Sequence, residues 1–303
     1  MNLILGSTSM LGKHISKILP DSISPQYTDL MNLQACRDIF QLHSDSDTVV
    51  YNLLGYNGNI GMNIREPADI FYRSTQLNIN VLKCSQAFGV KKVINVVSAC
   101  CYPDTSYEMK EEDLFNGLPN ETVECHGFAK RILLEYSRQL NKQYKTNSVC
   151  AILTNCYGDF DRFDLNRTKV IGAAVKKICD AKLNGDKTVT FWGTGKPVRE
   201  LIYAGDAAKC LVELAEKYED PLNPINISSD NPLSIREMVD IIKDEVNYQG
   251  EVVWDLSKPD GQAYRKLNTE KMKKFISHRM TPFRIGIQNT VRYYMETGRY
   301  LDR

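Results

Sequence analysis

Long hydrophobic runs are missing from this 303-residue chain: no uninterrupted apolar stretch approaches the roughly 18–20 residues that cross a bilayer. Met1-Asn2-Leu3-Ile4-Leu5-Gly6 lacks the basic flank and the apolar core of a signal peptide, and reads as a strand that begins the fold. Charge of one sign is missing too. With 38 Lys+Arg against 37 Asp+Glu the net charge is +1, which excludes the overall basic field of a non-specific nucleic-acid binder. There are only four histidines, no HxxxH and no CxxC, so no metal site is expected. The nine cysteines are odd in number and the chain is too large to need staples, which points to reduced thiols in a cytoplasmic protein. What remains is an ordinary globular composition, 43% apolar and 25% charged, long enough for one large domain or two intimate ones.

Short apolar runs alternate with segments of helical period. Strands are expected at 2–5, 48–54, 92–97, 148–153, 188–192 and 224–227. Helices are expected at 10–19, 70–88, 129–144, 170–181, 206–218 (with Asp206 as N-cap) and 234–246 (with Ser234 as a cap). Strand–helix alternation of this length implies βαβ units, hence an α/β fold with a doubly wound parallel sheet and a smaller, interleaved C-terminal part. The expected division is 1–158 with 197–227 as one unit, and 159–196 with 228–303 as the other.

The first motif is Gly6-Ser7-Thr8-Ser9-Met10-Leu11-Gly12, between the first strand and the first helix. Its glycines would let backbone approach a pyrophosphate at the helix N-terminus, where free N–H groups and the dipole favour anions; Ser9 stands where the full fingerprint has a glycine. Further pieces follow in order. Ser98-Ala99-Cys100-Cys101-Tyr102-Pro103 comes after the third strand, His126-Gly127-Phe128-Ala129-Lys130 leads into the next helix, and Thr154-Asn155-Cys156-Tyr157-Gly158 follows the next strand. This order resembles the extended short-chain dehydrogenase/reductase (Rossmann) superfamily. Within it, the chain is similar to the GDP-L-fucose synthase family over nearly its whole length. The similarity includes Gly58-Asn59-Ile60, Pro67-Ala68-Asp69, Asp161, Phe163, the run Trp192 to Glu200, and Ser257-Lys258-Pro259-Asp260-Gly261.

The resemblance implies a bifunctional 3,5-epimerase/4-reductase of a GDP-4-keto-6-deoxyhexose that works as a homodimer, with neither nucleic acid nor membrane as partner. It implies that Ser98 hydrogen-bonds the sugar 4-oxygen and that Cys100 exchanges protons at the sugar carbons. Lys130 would hold the nicotinamide ribose, and Trp192, Arg199 and Arg265 would meet the nucleotide diphosphate. It assigns Gly6, Ser9, Met10, Leu11, Gly12, Lys130 and Asn155 to the cofactor. Guanidinium forks suit phosphate oxygens.

Two positions depart from the family. His126 replaces the Tyr of Tyr-x-x-x-Lys, and with Lys130 one turn away its ring is expected to be neutral near pH 7. Lys169 replaces the second epimerisation His. The resemblance implies NADP, whereas neither Gly6–Gly12 nor 23–29 supplies a Lys or Arg for a 2′-phosphate, which leaves NAD open; Tyr27 is placed near the adenine. A 4,6-dehydratase is disfavoured, because Ala99-Cys100-Cys101 stands where those relatives carry an acidic pair. The alternatives are epimerisation without reduction, or a non-catalytic nucleotide-sugar-binding protein on the same scaffold.

Overall fold

The structure, a computed structural model, describes residues 1–25 and 29–297. Its first half runs β1 (Asn2–Leu5), α1 (Met10–Ile18), α2 (Leu33–His43), β2 (Val49–Asn52), α3 (Ile60–Arg65), α4 (Pro67–Ala87), β3 (Lys92–Ser98), α5 (Glu124–Tyr144) and β4 (Ser148–Leu153). The second runs β5 (Asn155–Tyr157), α6 (Val170–Asn184), β6 (Thr188–Trp192), β7 (Val198–Tyr203), α7 (Ala204–Lys217), β8 (Ile225–Ile227), β9 (Pro232–Ser234), α8 (Ile235–Val246), β10 (Glu251–Asp255), β11 (Tyr264–Arg265), α9 (Met272–Phe275) and α10 (Phe283–Glu296).

The β-branched runs of the first half pair as a parallel sheet in the order β1-β2-β3-β4-β8. Both faces are buried, which explains why these strands read as continuous apolar runs rather than as alternating ones. One face, carrying Val50, Val93, Val97 and Ile152, packs under α2, α4 and α5. The opposite face, with Ile4, Tyr51, Ile94, Val149 and Ala151, packs under α1 and α7. This is the doubly wound α/β architecture expected from the sequence. Beyond β1, among the described residues, the sheet continues only as an isolated parallel bridge between Leu3 and Ile23. Tyr27 lies outside the described residues.

A third core, built on Phe163, Ile178, Phe191, Leu201, Met238 and Ile287, holds the C-terminal layer together. There β7 pairs with β5, β9 and β11, and β6 pairs with β10. Thus β7 hydrogen-bonds into the second sheet, while α7, which follows it directly, covers the first. Chain continuity at this point brings the two sheets side by side and makes the groove between them.

Two local expectations are corrected. Helix α5 starts at Glu124 rather than Ala129, so His126 and Lys130 lie on one face of one helix, a turn apart. Asp206 is not an N-cap: α7 starts at Ala204, and the buried Asp206 carboxylate instead accepts from the Thr281 amide (2.7 Å) and hydroxyl (2.9 Å) and lies 2.8 Å from His278 Nε2. It ties the C-terminal segment onto α7. Ser234, by contrast, caps α8 in a reciprocal box with Glu237, as its sequence signature requires.

The turn from β1 into α1 is closed by Ser9, whose hydroxyl donates to the Gly6 carbonyl (2.7 Å) and accepts from the Gly12 amide (3.1 Å). A Cβ on Gly12 would strike the Gly6 carbonyl and the Ser7 backbone. Gly12→Ala is therefore expected to lower stability by about 1–3 kcal/mol, read as a lower urea midpoint with an unchanged m-value; an unaltered midpoint would show that the turn yields freely.

Candidate active site

A cleft of about 410 Å³ lies between the two sheets. Ser98, Cys100, His126, Asn155, Lys169, Trp192, Arg199 and Arg265 all line it, although they come from sequence positions far apart. Lys130, 3% exposed, does not line it; it lies one turn beyond His126 on α5. The Gly6–Gly12 turn does not line this cleft. Its residues open α1 instead, where the first-turn amides of Met10 and Leu11 have no acceptor within the helix while Ser9 occupies that of Gly12.

Each side chain is held by its element. Ser98 ends β3 and caps the tight turn Ala99–Cys101, its oxygen accepting from the Cys100 amide at 3.3 Å. This turn presents the Cys100 side chain to the cleft while Cys101 packs into the core. Gly127 lets α5 come close: a Cβ there would meet the Cys100 carbonyl and Pro119. Arg199 and Arg265 stand side by side because β7 and β11 pair in the register that puts these two residues opposite each other. Lys169 is the N-cap residue of α6.

The electrostatics of the cleft are dominated by cations. Arg199 and Arg265 are 9% and 8% exposed, and among the described residues neither forms a salt bridge. Their partners are neutral: Arg199 donates to the Val198 carbonyl (2.8 Å), and Arg265 Nε donates to Gln262 Oε1 (2.8 Å). Burial and then the neighbouring Arg265 charge bring Arg199 down to about 10. Arg265 also donates to Cys100 Sγ at 3.4 Å. Burial alone would push the Cys100 thiol up. The Arg265 charge, the Ser98 hydrogen bond and the Lys169 charge outweigh it and hold the thiol below its ordinary pKa.

His126 is driven the other way. Burial, then the charges of Lys130, Lys169 and Arg265, keep its pKa well below that of a free imidazole, so the ring is neutral at pH 7. Its Nδ1 is buried and has no hydrogen-bond partner. Lys130 donates to the carbonyls of Leu54 (3.1 Å) and Val96 (2.8 Å), and burial lowers it to about 8. Asp161, beside Lys169, is raised to about 7 by burial, against the pull of the Arg162 amide and the Lys169 charge.

The far end of the cleft is aromatic. Trp192 is 53% exposed rather than packed between the sheets, and the Lys258 ammonium lies over its ring at 5.8 Å. Phe191 and Trp254 stand beside it with Lys177, and the Trp254 ring lies under the Arg236 guanidinium at 4.7 Å. Gln262, Lys177 and Trp254 were not singled out in the sequence. Gln262 directly follows the Lys-Pro-Asp-Gly element, which was the available signal; Trp254 carries none, since β10 joins the site only by pairing with β6.

A parallel sheet with a glycine-and-serine turn opening its first helix, beside a cleft lined by Ser98, His126 and a cation-stabilised thiol, defines a dinucleotide-dependent enzyme of the extended Rossmann type. The chain belongs to the NAD dependent epimerase/dehydratase family, whose model matches residues 2–228. It is similar to the GDP-L-fucose synthase of Sinorhizobium fredii, 33% identical over 76% of this chain and 73% of that one. It is also similar to the GDP-L-fucose synthase of Dictyostelium discoideum, 27% identical over 97% of this chain and 95% of the other. Among solved structures, a GDP-L-fucose synthetase from Naegleria fowleri bound to NADP superimposes with a TM-score of 0.87 at 26% identity, covering 99% of this chain and 95% of that one.

The thiol assignment is open to a direct test. Replacing Arg265 by Gln removes the nearest charge on Cys100, so its alkylation by iodoacetamide at pH 7 should slow about tenfold. An unchanged rate at that thiol, followed by peptide mass spectrometry, would show that the guanidinium does not stabilise the thiolate.

Proposed function

We propose that this protein is an NADP-dependent 3,5-epimerase/4-reductase of a GDP-4-keto-6-deoxyhexose. The observation that carries this reading is the Cys100 thiol, flanked by Ser98, Arg265 and Lys169 and facing a cleft whose two buried guanidiniums lack carboxylate partners. The relatives act on GDP-linked fucose precursors by name, and the Naegleria structure holds NADP, which favours NADP over NAD. The β1–α1 turn fits a dinucleotide pyrophosphate, because its free amides and the absence of a side chain at Gly12 leave backbone for the anion.

In this reading Arg199 and Arg265 clamp the diphosphate. Cys100, as thiolate, takes the proton from the sugar carbon next to the 4-keto group. The electron pair moves onto the 4-oxygen, where the Ser98 hydroxyl and an N–H of neutral His126 stabilise the enolate. The Lys169 ammonium returns a proton to the opposite face, inverting the carbon, and the thiol and the amine re-equilibrate with solvent. NADPH, when bound, supplies the hydride for carbon 4. Neutral His126 is a hydrogen-bond donor but a poor acid, so the proton that reaches the 4-oxygen is drawn from the Lys130 ammonium, poised at about 8, through a solvent molecule, because Lys130 itself does not line the cleft. The same reading assigns 1–158 with 197–227 to the cofactor side and 159–196 with 228–303 to the sugar-nucleotide side.

Mixing protein, NADPH and GDP-4-keto-6-deoxymannose in deuterated buffer tests both halves of the reaction. Deuterium should enter at carbons 3 and 5 while NADPH is oxidised, and Cys100→Ser should slow the exchange at least ~100-fold. Oxidation should fall as pH rises through about 8, because Lys130 then loses the proton it donates. Binding without either exchange or oxidation would make the protein a sugar-nucleotide binder instead.

A homodimer is the assembly we propose. Helices α4 and α5 pack side by side on one face of the sheet, and α4 leaves Phe71 and Tyr72 exposed. Light scattering should give twice the chain mass of 34.5 kDa; the single-chain mass would sink this assembly. No helix among the described residues is long and apolar enough to cross a membrane.

A further inference from the structure

Three buried asparagines have no part in the chemistry above. Asn52 on β2, Asn95 on β3 and Asn78 on α4 are all sealed from solvent. Asn52 and Asn95 face each other across the β2–β3 register, on the sheet face that is covered by α4 and α5. A buried amide without partners costs about 1–3 kcal/mol, yet each of these has partners on both its oxygen and its nitrogen. Asn95 Nδ2 donates to Ser148 Oγ (2.9 Å), a hydroxyl that also accepts from Ser137 Oγ (2.7 Å). Asn52 Nδ2 donates to Asn95 Oδ1 (2.9 Å) and to Asn78 Oδ1 (3.0 Å), and Asn78 Nδ2 donates to the Ser74 carbonyl (2.6 Å). The ladder therefore links α5, β4, β3, β2 and α4.

Its end is the loop after β2. Asn52 Oδ1 accepts from the Leu54 amide (3.3 Å), while Ser74 Oγ accepts from the Tyr56 amide (3.2 Å) and donates to the Tyr56 carbonyl (2.8 Å). Between these two pinned points, the Leu54 carbonyl accepts from Lys130 Nζ. The second acceptor of Lys130, the Val96 carbonyl, follows Asn95 directly in β3. Apolar side chains at the three asparagines would pack the sheet against its helices, but they would leave the Leu54 carbonyl free to turn.

We infer that the Ser74–Asn78–Asn52–Asn95 ladder is a positioning device for Lys130, aiming the carbonyls that hold its ammonium behind His126. The inference rests on the role given to Lys130 above, but its test does not need turnover. The titratable groups that face Lys130 are His126 on its own helix, Cys101 in the turn after β3, Cys150 on β4 and Lys169 before α6. None of them is altered in the variants used.

The readout is the ¹³Cε signal of Lys130 in protein labelled on lysine, assigned with Lys130→Met and followed over pH. The wild-type midpoint is expected near 8. In Ser74→Ala the loop is unclamped, the ammonium loses a carbonyl acceptor, and the midpoint should fall by about one pH unit. NADPH oxidation should drop ~10-fold in kcat with KM for the sugar nucleotide within about twofold, since the ladder does not touch the substrate. Thr75→Val, the neighbouring position on α4, should leave the midpoint alone. Asn52→Ser gives the same reading if Ser74→Ala does not fold. A wild-type midpoint retained in Ser74→Ala or Asn52→Ser, with only a lower Tm, overturns the inference, as does an equal shift in Thr75→Val. A shifted midpoint in a protein that never oxidises NADPH upholds the ladder and rejects the proposed reaction.

Discussion

Buried positive charge without carboxylate neutralisation is the constraint around which this molecule is built. Arg199, Arg265 and Lys130 are nearly sealed from water, and each is held by carbonyl or amide oxygens rather than by a carboxylate. Taking charges out of water is costly, and neutral dipoles compensate only in part. The remaining electrostatic need is met by whatever anion enters. The same charges keep Cys100 toward the thiolate, so in the proposed reaction one charge arrangement would serve diphosphate binding and proton transfer together.

The same field explains the condition of His126. A ring buried among three cations cannot hold a proton of its own, which makes it a donor of hydrogen bonds rather than an acid. In the proposed reaction the proton supply then passes to Lys130, whose ammonium is weakened by burial and steadied by two carbonyls. The asparagine ladder belongs to the same scheme, because a lysine used this way needs acceptors that do not drift. Polar groups in the middle of a sheet layer are otherwise hard to account for on packing grounds.

The second sheet is what turns a nucleotide-binding scaffold into a cleft with a floor. Arg199 and Arg265 meet only because β7 and β11 pair in one particular register, and Trp254 joins them only because β10 pairs with β6. Gln262 orients Arg265 from the same segment. The exposed Trp192, with Lys258 over its ring, then extends the cleft as an aromatic face beyond the guanidiniums.

The sequence by itself determined the alternation of strands and helices, the opening of α1 by a glycine-and-serine turn, and the order of pieces that carries the family resemblance. These are local properties: apolar period, cap chemistry and turn residues are written within a few positions of one another. It also displayed the two departures, His126 and Lys169, and the expected neutrality of His126 follows already from a lysine one turn away. Only the tertiary structure decided that α5 begins early enough to put His126 and Lys130 on one face, that Asp206 ties down the C-terminal segment instead of capping a helix, and that three asparagines far apart in the chain form one ladder ending at the loop after β2. Those outcomes depend on strand register and on burial. Both arise from contacts between distant segments, which no stretch of sequence contains.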